Sequence, residues 1–350
     1  MSVQAAAVPA SPAAVSAAAA PLHPTVRFLG SLSKRLIILI PAAMVLGLGA
    51  GLLFDLSALQ AFVLPLTMLM VYPMLVNLQL KEALHIKCAK ALGLAMVLDL
   101  IVLPLVAWGL ALAFFRNEPG LYVGMVLAGL FPTSGMTISW TGFAKGNVQA
   151  AVKMTVIGLI LASLLAPLYL YVFARAVVPV DVLGVVRTVA LVILVPLIAG
   201  VLTRTALVKR FGPQRYSQRI SPVFPGISTI GVLAIVFIAI ALKARMIVDD
   251  PLLVLRLAVP LVIFYGANYL IATVAGKAFV NRADAIAVVY GTVMRNLSIA
   301  LGIAIASFGA EAALVLAVAY IIQVQSAAWF VKATPRVFGP APSVEAAVPA

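Results

Sequence analysis

Residues 119–143 read PGLYVGMVLAGLFPTSGMTISWTGF. The run carries no charged residue and is long enough to cross the roughly 30 Å hydrocarbon core of a bilayer. In its middle, Pro132–Thr137 brings together a proline, a glycine and three hydroxyl side chains. Unwound backbone at membrane depth is tolerated only where protein or a water-filled cavity surrounds it. The stretch therefore predicts a broken membrane-spanning helix inside a helical bundle.

A second interrupted run, residues 283–307, is broken at Gly291–Asn296. Apolar runs bounded by charge, Gly, Pro or Asn predict ten spans, at 35–54, 58–80, 88–115, 119–143, 148–174, 183–205, 222–246, 252–278, 283–307 and 311–334. The interrupted runs are the fourth and the ninth, so they stand at the same place in two sets of five. Because five is odd, two such halves face opposite ways, which is the inverted-repeat plan of many secondary transporters.

The predicted fold class is therefore an all-α integral membrane protein with ten transmembrane helices in a 5+5 inverted repeat. We predict a disordered N-terminal tail at 1–31, a first five-helix repeat at 32–177, a second at 178–336 and a C-terminal tail at 337–350. The tail has no basic start followed by a compact apolar run, so we interpret it as disordered and not as a signal peptide.

The composition is typical of a protein that is embedded in a lipid bilayer. Hydrophobic residues make up 64% of the chain and charged residues 10%, against about a quarter charged in soluble domains. The formal charge of +14 does not predict nucleic-acid binding, because the basic residues cluster in short gaps between apolar runs. With the N-terminus inside, the inside gaps hold 16 Lys and Arg residues and the outside gaps five. This bias predicts a multi-pass protein of the inner (plasma) membrane with both termini cytoplasmic.

Motifs of soluble catalysis are missing from the sequence. There is no Gly-rich phosphate loop, no HExxH and no pair of carboxylates within one predicted span. The one cysteine, Cys88, cannot build a disulfide framework or a cysteine-based metal site. We therefore predict no enzyme, no cofactor and no metal, and transport driven by an ion gradient or by the substrate gradient.

Charged residues inside the spans are the next signal. Asp99 is the one acidic residue deep within a run, and an isolated charge at the bilayer centre costs about 2.5–3.5 kcal/mol on insertion scales. Its candidate partners are Arg295, in the ninth-span interruption, and Lys153, in the fifth span. The pair could fix packing, or it could relay a proton or an ion. Lys153 could also extend to the cytoplasmic interface.

These residues and their surroundings resemble a known superfamily. Val71–Met74, Ala128–Pro132, Met136 with Trp140, Lys145–Asn147 and Arg295–Asn296 are similar to motifs of the bile acid:sodium symporters and the related arsenite efflux permeases, with the closer match to the permeases. The resemblance implies a panel domain built from the first two spans of each half. It also implies a core domain in which the broken fourth and ninth spans cross.

The departures from the family pattern bear on the substrate and the coupling ion. Arsenite permeases carry a cysteine where this chain has Thr133, and a glutamate where it has Ser298, and a hydroxyl is a poor ligand for trivalent arsenic. The sodium symporters carry a glutamate near Gly291 and an amide in place of Arg295. The resemblance thus implies that the Arg295 guanidinium takes the place of a sodium ion, with Asp99 as its counter-charge.

The sequence therefore predicts a transporter similar to arsenite and arsenical efflux permeases, which moves a small oxy-compound or anion by alternating access and is proton-linked or uncoupled. Its partners would be that substrate, with arsenite as one candidate, protons and the lipid bilayer, but no nucleic acid. Alternatives are a sodium- or proton-coupled importer of organic anions and a membrane receptor that does not transport. The predicted substrate-binding residues are Pro132, Thr133, Ser134, Thr137, Asn296 and Ser298, and the predicted coupling residues are Asp99, Arg295, Lys153 and Thr155.

Overall fold

The computed structural model describes residues 28–29, 31–32, 35–78, 88–175, 177 and 181–340, and the regular elements in those ranges are all helical. The helices are α1 Leu36–Leu53, α2 Val63–Val76, α3 Ala89–Phe115, α4 Pro119–Leu130, α5 Gly135–Phe143, α6 Val148–Ala174, α7 Leu183–Phe211, α8 Pro213–Ala241, α9 Ala244–Asp249, α10 Leu253–Phe279, α11 Arg282–Val293, α12 Leu297–Ile303 and α13 Ala310–Phe338. A 3₁₀ turn, Ser57–Phe62, leads into α2, and a π-helical turn, Ala304–Phe308, follows α12.

The described helices include eight segments that are long and apolar enough to cross a membrane, with Arg282–Phe308 taken as one. Helices α4 and α5 make a ninth when they are taken as one span, bent by 58° at its break. Helix α1 is apolar but shorter. The chain is thus a membrane-embedded helical protein, while its division into ten spans and two repeats stays a prediction.

Several predicted boundaries are wrong. The polar stretch 207–221, predicted as a gap, is helical at 207–211 and 213–220, so α7 continues past its predicted end and α8 begins before its predicted start. The first break covers 131–134 and the second 294–296, because helix resumes at Gly135 and continues through Val293. Helix α13 continues to Phe338, into the predicted C-terminal tail. The predicted N-terminal tail lies largely outside the described residues.

The helices pack in two groups. The panel group consists of α1, α2, α7 and α8, in which α8 lies against both α1 and α2, and α7 lies against α2. The core group consists of α3–α6 and α10–α13, where α4 packs between α3 and α13 and α11 packs against α10. The panel group therefore contains the helices of the first two predicted spans of each half, and the core group contains the helices of the last three.

Close helix contact within the panel group depends on two glycines of α1. A Cβ placed on Gly47 would lie 2.6 Å from the carbonyl oxygen of Phe237, and one on Gly51 would collide with that of Ala241. Residues four apart on α1 thus meet residues four apart on α8, which is the small-xxx-small packing of membrane helices. Gly49, on another face of α1, has nothing within 4 Å of such a Cβ.

Gly51→Ala is expected to destabilise the protein by about 1–3 kcal/mol, the usual cost of forcing an extra methyl group into a packed contact. The matched change Gly49→Ala is expected to be neutral or slightly stabilising, since alanine has the higher helix propensity. Unfolding of the two purified variants in a denaturing detergent would measure the difference. Equal stability of Gly51→Ala and Gly49→Ala would contradict the close approach of α1 and α8.

Candidate functional site

The two broken helices are joined at their breaks by a pair of backbone hydrogen bonds. The N–H of Ser134 donates to the carbonyl of Met294 at 2.9 Å, and the N–H of Asn296 donates to the carbonyl of Phe131 at 2.8 Å. Ser134 and Asn296 are the N-cap residues of α5 and α12, while Phe131 and Met294 directly follow α4 and α11. The two hydrogen bonds are therefore equivalent. In each, the N-cap residue of the second half of one broken helix donates to the residue that follows the first half of the other.

Thr133 holds the first break in an uncommon backbone conformation. Its φ is +47°, in the left-handed region, where a β-branched residue is an outlier that costs on the order of 1–3 kcal/mol. Its buried hydroxyl lies 3.4 Å from the carbonyl oxygens of Met154 and Thr155 on α6. The Thr133 hydroxyl is thus directed at the backbone of α6.

A buried ion pair lies beside the crossing. Arg295 Nη1 donates to Asp99 Oδ1 at 2.5 Å, and neither side chain is exposed. Nη1 also lies 3.4 Å from the carbonyl of Thr292, and Nη2 donates to the carbonyl of Gly129. Gly129 and Thr292 belong to the last turns of α4 and α11, where the helix dipole places partial negative charge. The guanidinium therefore lies where two half-helices end and a carboxylate faces them.

Local structure places the carboxylate. Asp99 lies within a π-helical turn, Leu98–Val102, in the middle of α3. Such single turns are rare and occur frequently at functional sites. Among the described residues, Asp99 Oδ2 and Arg295 Nε have no hydrogen-bond partner, so this buried pair is incompletely satisfied.

Three further polar residues support the second break. Gln323 on α13 donates through Nε2 to the carbonyl of Arg295 at 3.2 Å and accepts from the Tyr265 hydroxyl at 2.9 Å. Asn268 on α10 donates to the carbonyl of Thr292 at 3.0 Å. None of the three was predicted from the sequence. Gln323 and Asn268 are amides inside otherwise apolar runs, a pattern that would have indicated buried polar contacts at these positions.

A cavity of about 820 Å³ opens between the panel and core groups. It reaches from the C-terminal end of α2 and the N-terminal end of α8 to the N-terminal ends of α5 and α12. Its 25 lining residues are Ser31, Leu36, Met74, Asn77, Leu78, Ser134, Gly135, Met136, Ile138, Ser139, Trp140, Phe143, Val152, Thr155, Val156, Leu159, Pro222, Pro225, Ser228, Thr229, Val232, Asn296, Ser298, Tyr320 and Val324. Within the part of the chain that the structure describes, no charged side chain lines it.

At the opposite end of the molecule the two groups are held together by polar contacts. Lys243, just after α8, pairs with Glu311 of α13 at 2.7 Å. Ser307 donates to the hydroxyl of Thr188 on α7 at 3.0 Å. These four residues also line a second cavity of about 600 Å³. The panel and core groups are therefore in polar contact beside a smaller cavity at this end and separated by the 820 Å³ cavity at the other.

The predicted site residues fall into two sets. The structure places Ser134, Thr155, Asn296 and Ser298 on the cavity wall. It places the other predicted residues in the protein interior behind that wall; these are Pro132, Thr133, Thr137, Asp99, Arg295 and Lys153. Lys153 is 5% exposed, so it lies buried within the protein. Tyr320, whose hydroxyl bonds Ser298, lines the cavity and was missed.

Comparison with known proteins identifies the family. The model of the Sodium Bile acid symporter family matches residues 64–250, more than half of the chain. The chain belongs to this family. The sodium bile acid symporter match includes α4, α5, α6 and the panel helices α7 and α8.

Relatives of this family member include arsenical-resistance proteins. The Arsenical-resistance protein Acr3 of Corynebacterium glutamicum is 27% identical over 262 residues, which cover 71% of each chain. Acr3 of Alkaliphilus metalliredigens is 24% identical over 337 residues, covering 88% of this chain and 93% of its own. A Bacillus subtilis protein named as the uncharacterized sodium-dependent transporter YocS is 29% identical over 177 residues, about half of each chain. This protein is a membrane transporter of the sodium bile acid symporter family.

Proposed function

We propose that this chain is a secondary transporter of the arsenite-efflux type. It moves a small uncharged oxy-compound, such as arsenous acid, across the plasma membrane by alternating access, and it is proton-linked or uncoupled and not sodium-coupled. The observation that carries the proposal is the Arg295 guanidinium, which lies between Asp99 and the ends of two broken helices.

The guanidinium supports transport without sodium. In transporters with discontinuous helices, carbonyls at half-helix C-termini and in unwound backbone coordinate the coupling cation. Here the carbonyls of Gly129 and Thr292 contact Arg295, and the neighbouring carboxylate is paired with the same side chain. A sodium ion at this place would meet a fixed positive charge. The positive charge that other family members would obtain by binding a sodium ion is supplied here by the Arg295 side chain.

The arrangement supports alternating access through ten spans in an inverted repeat. The Ser134–Met294 and Asn296–Phe131 hydrogen bonds join equivalent positions of the two broken helices. A two-fold relation between the halves would produce this pairing. With both termini cytoplasmic, the 820 Å³ cavity faces the cytoplasm, and the Lys243–Glu311 ion pair joins the panel and core groups on the outer side, beside a smaller cavity of about 600 Å³. The described conformation is then the one that takes up substrate from the cell interior, as efflux requires.

A proton could act at the crossing and not between the helix groups. Asp99, Gly129 and Arg295 all belong to the core group, so protonation of Asp99 would not by itself release the core from the panel. It would weaken the tie between α3 and the second break and change the shape of the wall that Asn296 and Ser298 form.

The lining argues against import of an organic anion. That function needs a cation in contact with the substrate, and neither Arg295 nor Lys153 lines the cavity. The names of the two Acr3 relatives point to arsenicals. Arsenous acid is uncharged at neutral pH, so it fits the described residues of the lining, none of which is charged, better than arsenate or a carboxylate does.

Proteoliposomes loaded with arsenous acid test the proposal. We expect release that is unchanged when sodium is replaced by potassium, and that responds to a pH gradient if the protein is proton-linked. In Asp99→Asn the pH response is expected to disappear, while exchange of arsenous acid at equilibrium, which needs no gradient, continues. Unchanged pH-driven transport in Asp99→Asn would exclude the relay, and strict dependence on sodium would overturn the proposed coupling.

A further inference from the structure

The cavity is far larger than an inorganic oxy-acid. Its volume of about 820 Å³ falls within the roughly 300–1,000 Å³ in which proteins bind drug-sized organic ligands. A molecule made of one central atom and its hydroxyl groups would leave most of this volume to water. The size of the cavity is that of a site for an organic compound.

One end of the cavity offers hydrogen-bond donors and acceptors. The Ser298 and Tyr320 hydroxyls bond each other, which leaves one hydroxyl proton and oxygen lone pairs for a ligand. The Asn296 amide nitrogen has, among the described residues, only the sulfur of Met74 at 4.0 Å as a partner, and a thioether is a weak acceptor. This end is suited to hydroxyl groups.

The rest of the cavity is an apolar wall. Met136 and Trp140 come from α5, Val156 and Leu159 from α6, and Val232 from the panel helix α8. Burial of apolar ligand surface against such side chains is favourable in proportion to the area removed from water. Because both helix groups contribute, an apolar ligand group would contact the panel and the core at once.

The cavity offers an ionised group no described partner. Arg295 is completely buried, with its guanidinium directed to Asp99 and the two helix ends behind the wall. Against the described lining, a charged ligand would lose hydration without gaining a salt bridge, which is costly. The described residues of the lining therefore favour an uncharged ligand.

We propose that the cavity binds an uncharged, hydroxyl-bearing compound with a bulky apolar substituent, such as an aryl-substituted oxy-acid. Its hydroxyl groups lie at Asn296, Ser298 and Tyr320, and its substituent lies along the wall that contains Trp140. The inference rests on the proposed function, because it assigns the substrate class of the same cavity.

Binding of three matched probes to the purified full-length protein tests the assignment. 2-Naphthylboronic acid has an uncharged dihydroxyl head and an aryl group, boric acid lacks the aryl group, and 2-naphthoate replaces the head with a carboxylate. Titration calorimetry is expected to show 2-naphthylboronic acid binding tighter than either of the others by about tenfold or more, a difference of about 1.4 kcal/mol.

Trp140→Ala is expected to weaken binding of 2-naphthylboronic acid by about tenfold, because it removes aromatic surface from the wall. The matched change Trp329→Ala is expected to leave binding unchanged, since Trp329 is 64% exposed and lies outside the cavity lining. Thermal unfolding of both variants without ligand establishes that they are folded. Loss of affinity in Trp329→Ala but not in Trp140→Ala would place the ligand elsewhere and overturn the inference.

The transport assay separates the two proposals. If the protein moves arsenous acid but binds 2-naphthylboronic acid no more tightly than boric acid, the proposed function stands and the substrate class is overturned. If 2-naphthylboronic acid binds as expected and arsenous acid is not moved, the substrate class stands and the arsenite-type function fails. Tighter binding of 2-naphthoate would overturn the assignment of an uncharged head.

Discussion

Asp99→Ala is expected to lower the free energy of unfolding by about 3–5 kcal/mol, the usual effect of removing one partner of a buried ion pair. Asp99 and Arg295 are both completely buried, and among the described residues the Arg295 guanidinium keeps only the carbonyls of Gly129 and Thr292 when the carboxylate is gone. Those carbonyls are partial charges and cannot neutralise a cation. Denaturing-detergent titration of the purified protein would measure the loss.

Two further variants distinguish a lost charge pair from a lost contact. Asp99→Ala combined with Arg295→Met removes both charges and is expected to recover most of the stability, because replacing a whole buried pair by apolar groups is often neutral or favourable. Asp249→Ala removes an exposed carboxylate and is expected to change the free energy by less than about 0.5 kcal/mol. A single and a double variant of equal stability would contradict the electrostatic explanation.

Arg295→Gln is expected to make the protein depend on sodium. The substitution removes the fixed cation but leaves the Asp99 carboxylate and the carbonyls of Gly129 and Thr292, a set of oxygens that a sodium ion could occupy. Transport of arsenous acid without sodium is expected to fall by about tenfold or more, since a shift of 1.4 kcal/mol already gives that factor. The thermal midpoint of the variant is expected to rise with sodium chloride but not with choline chloride, because a ligand that binds the native state stabilises it.

The wild-type protein and Arg256→Gln serve as controls. Arg256 forms exposed ion pairs with Glu118 and Asp250, so its removal takes away an arginine without opening a buried site. Neither the wild type nor this variant is expected to be stabilised specifically by sodium. Specific stabilisation of the wild type by sodium would show that Arg295 does not fill the cation site.

Local patterns in the sequence predicted much of the helical architecture. The apolar runs predict the helices because a bilayer requires about 20 apolar residues per span. These residues are consecutive along the chain, so the sequence displays them directly. The two breaks were predicted near Pro132 and Met294 for the same reason. Their lengths were overestimated, because Gly and Thr residues next to a break can stay helical when the surrounding helices pack against them.

The components of the ion pair were also visible in the sequence. Charges inside apolar runs are rare, so Asp99, Arg295 and Lys153 stood out at once. The choice between Arg295 and Lys153 as the partner of Asp99 depends on how α3, α4 and α11 converge. That convergence involves residues separated by 196 positions along the chain, and no local pattern reports it.

A helical membrane protein with two broken helices and buried charges could be predicted from the amino-acid sequence, since each property depends on neighbouring residues and on the cost of exposing polar groups to lipid. The positions of Ser134, Thr155, Asn296 and Ser298 on the cavity wall, and of Thr133 and Arg295 behind it, required the folded structure. The direction in which a side chain points at a break depends on the hydrogen bonds between the two breaks and on the packing of α6 and α13 around them. Those contacts bring distant segments together and exist only in the folded protein.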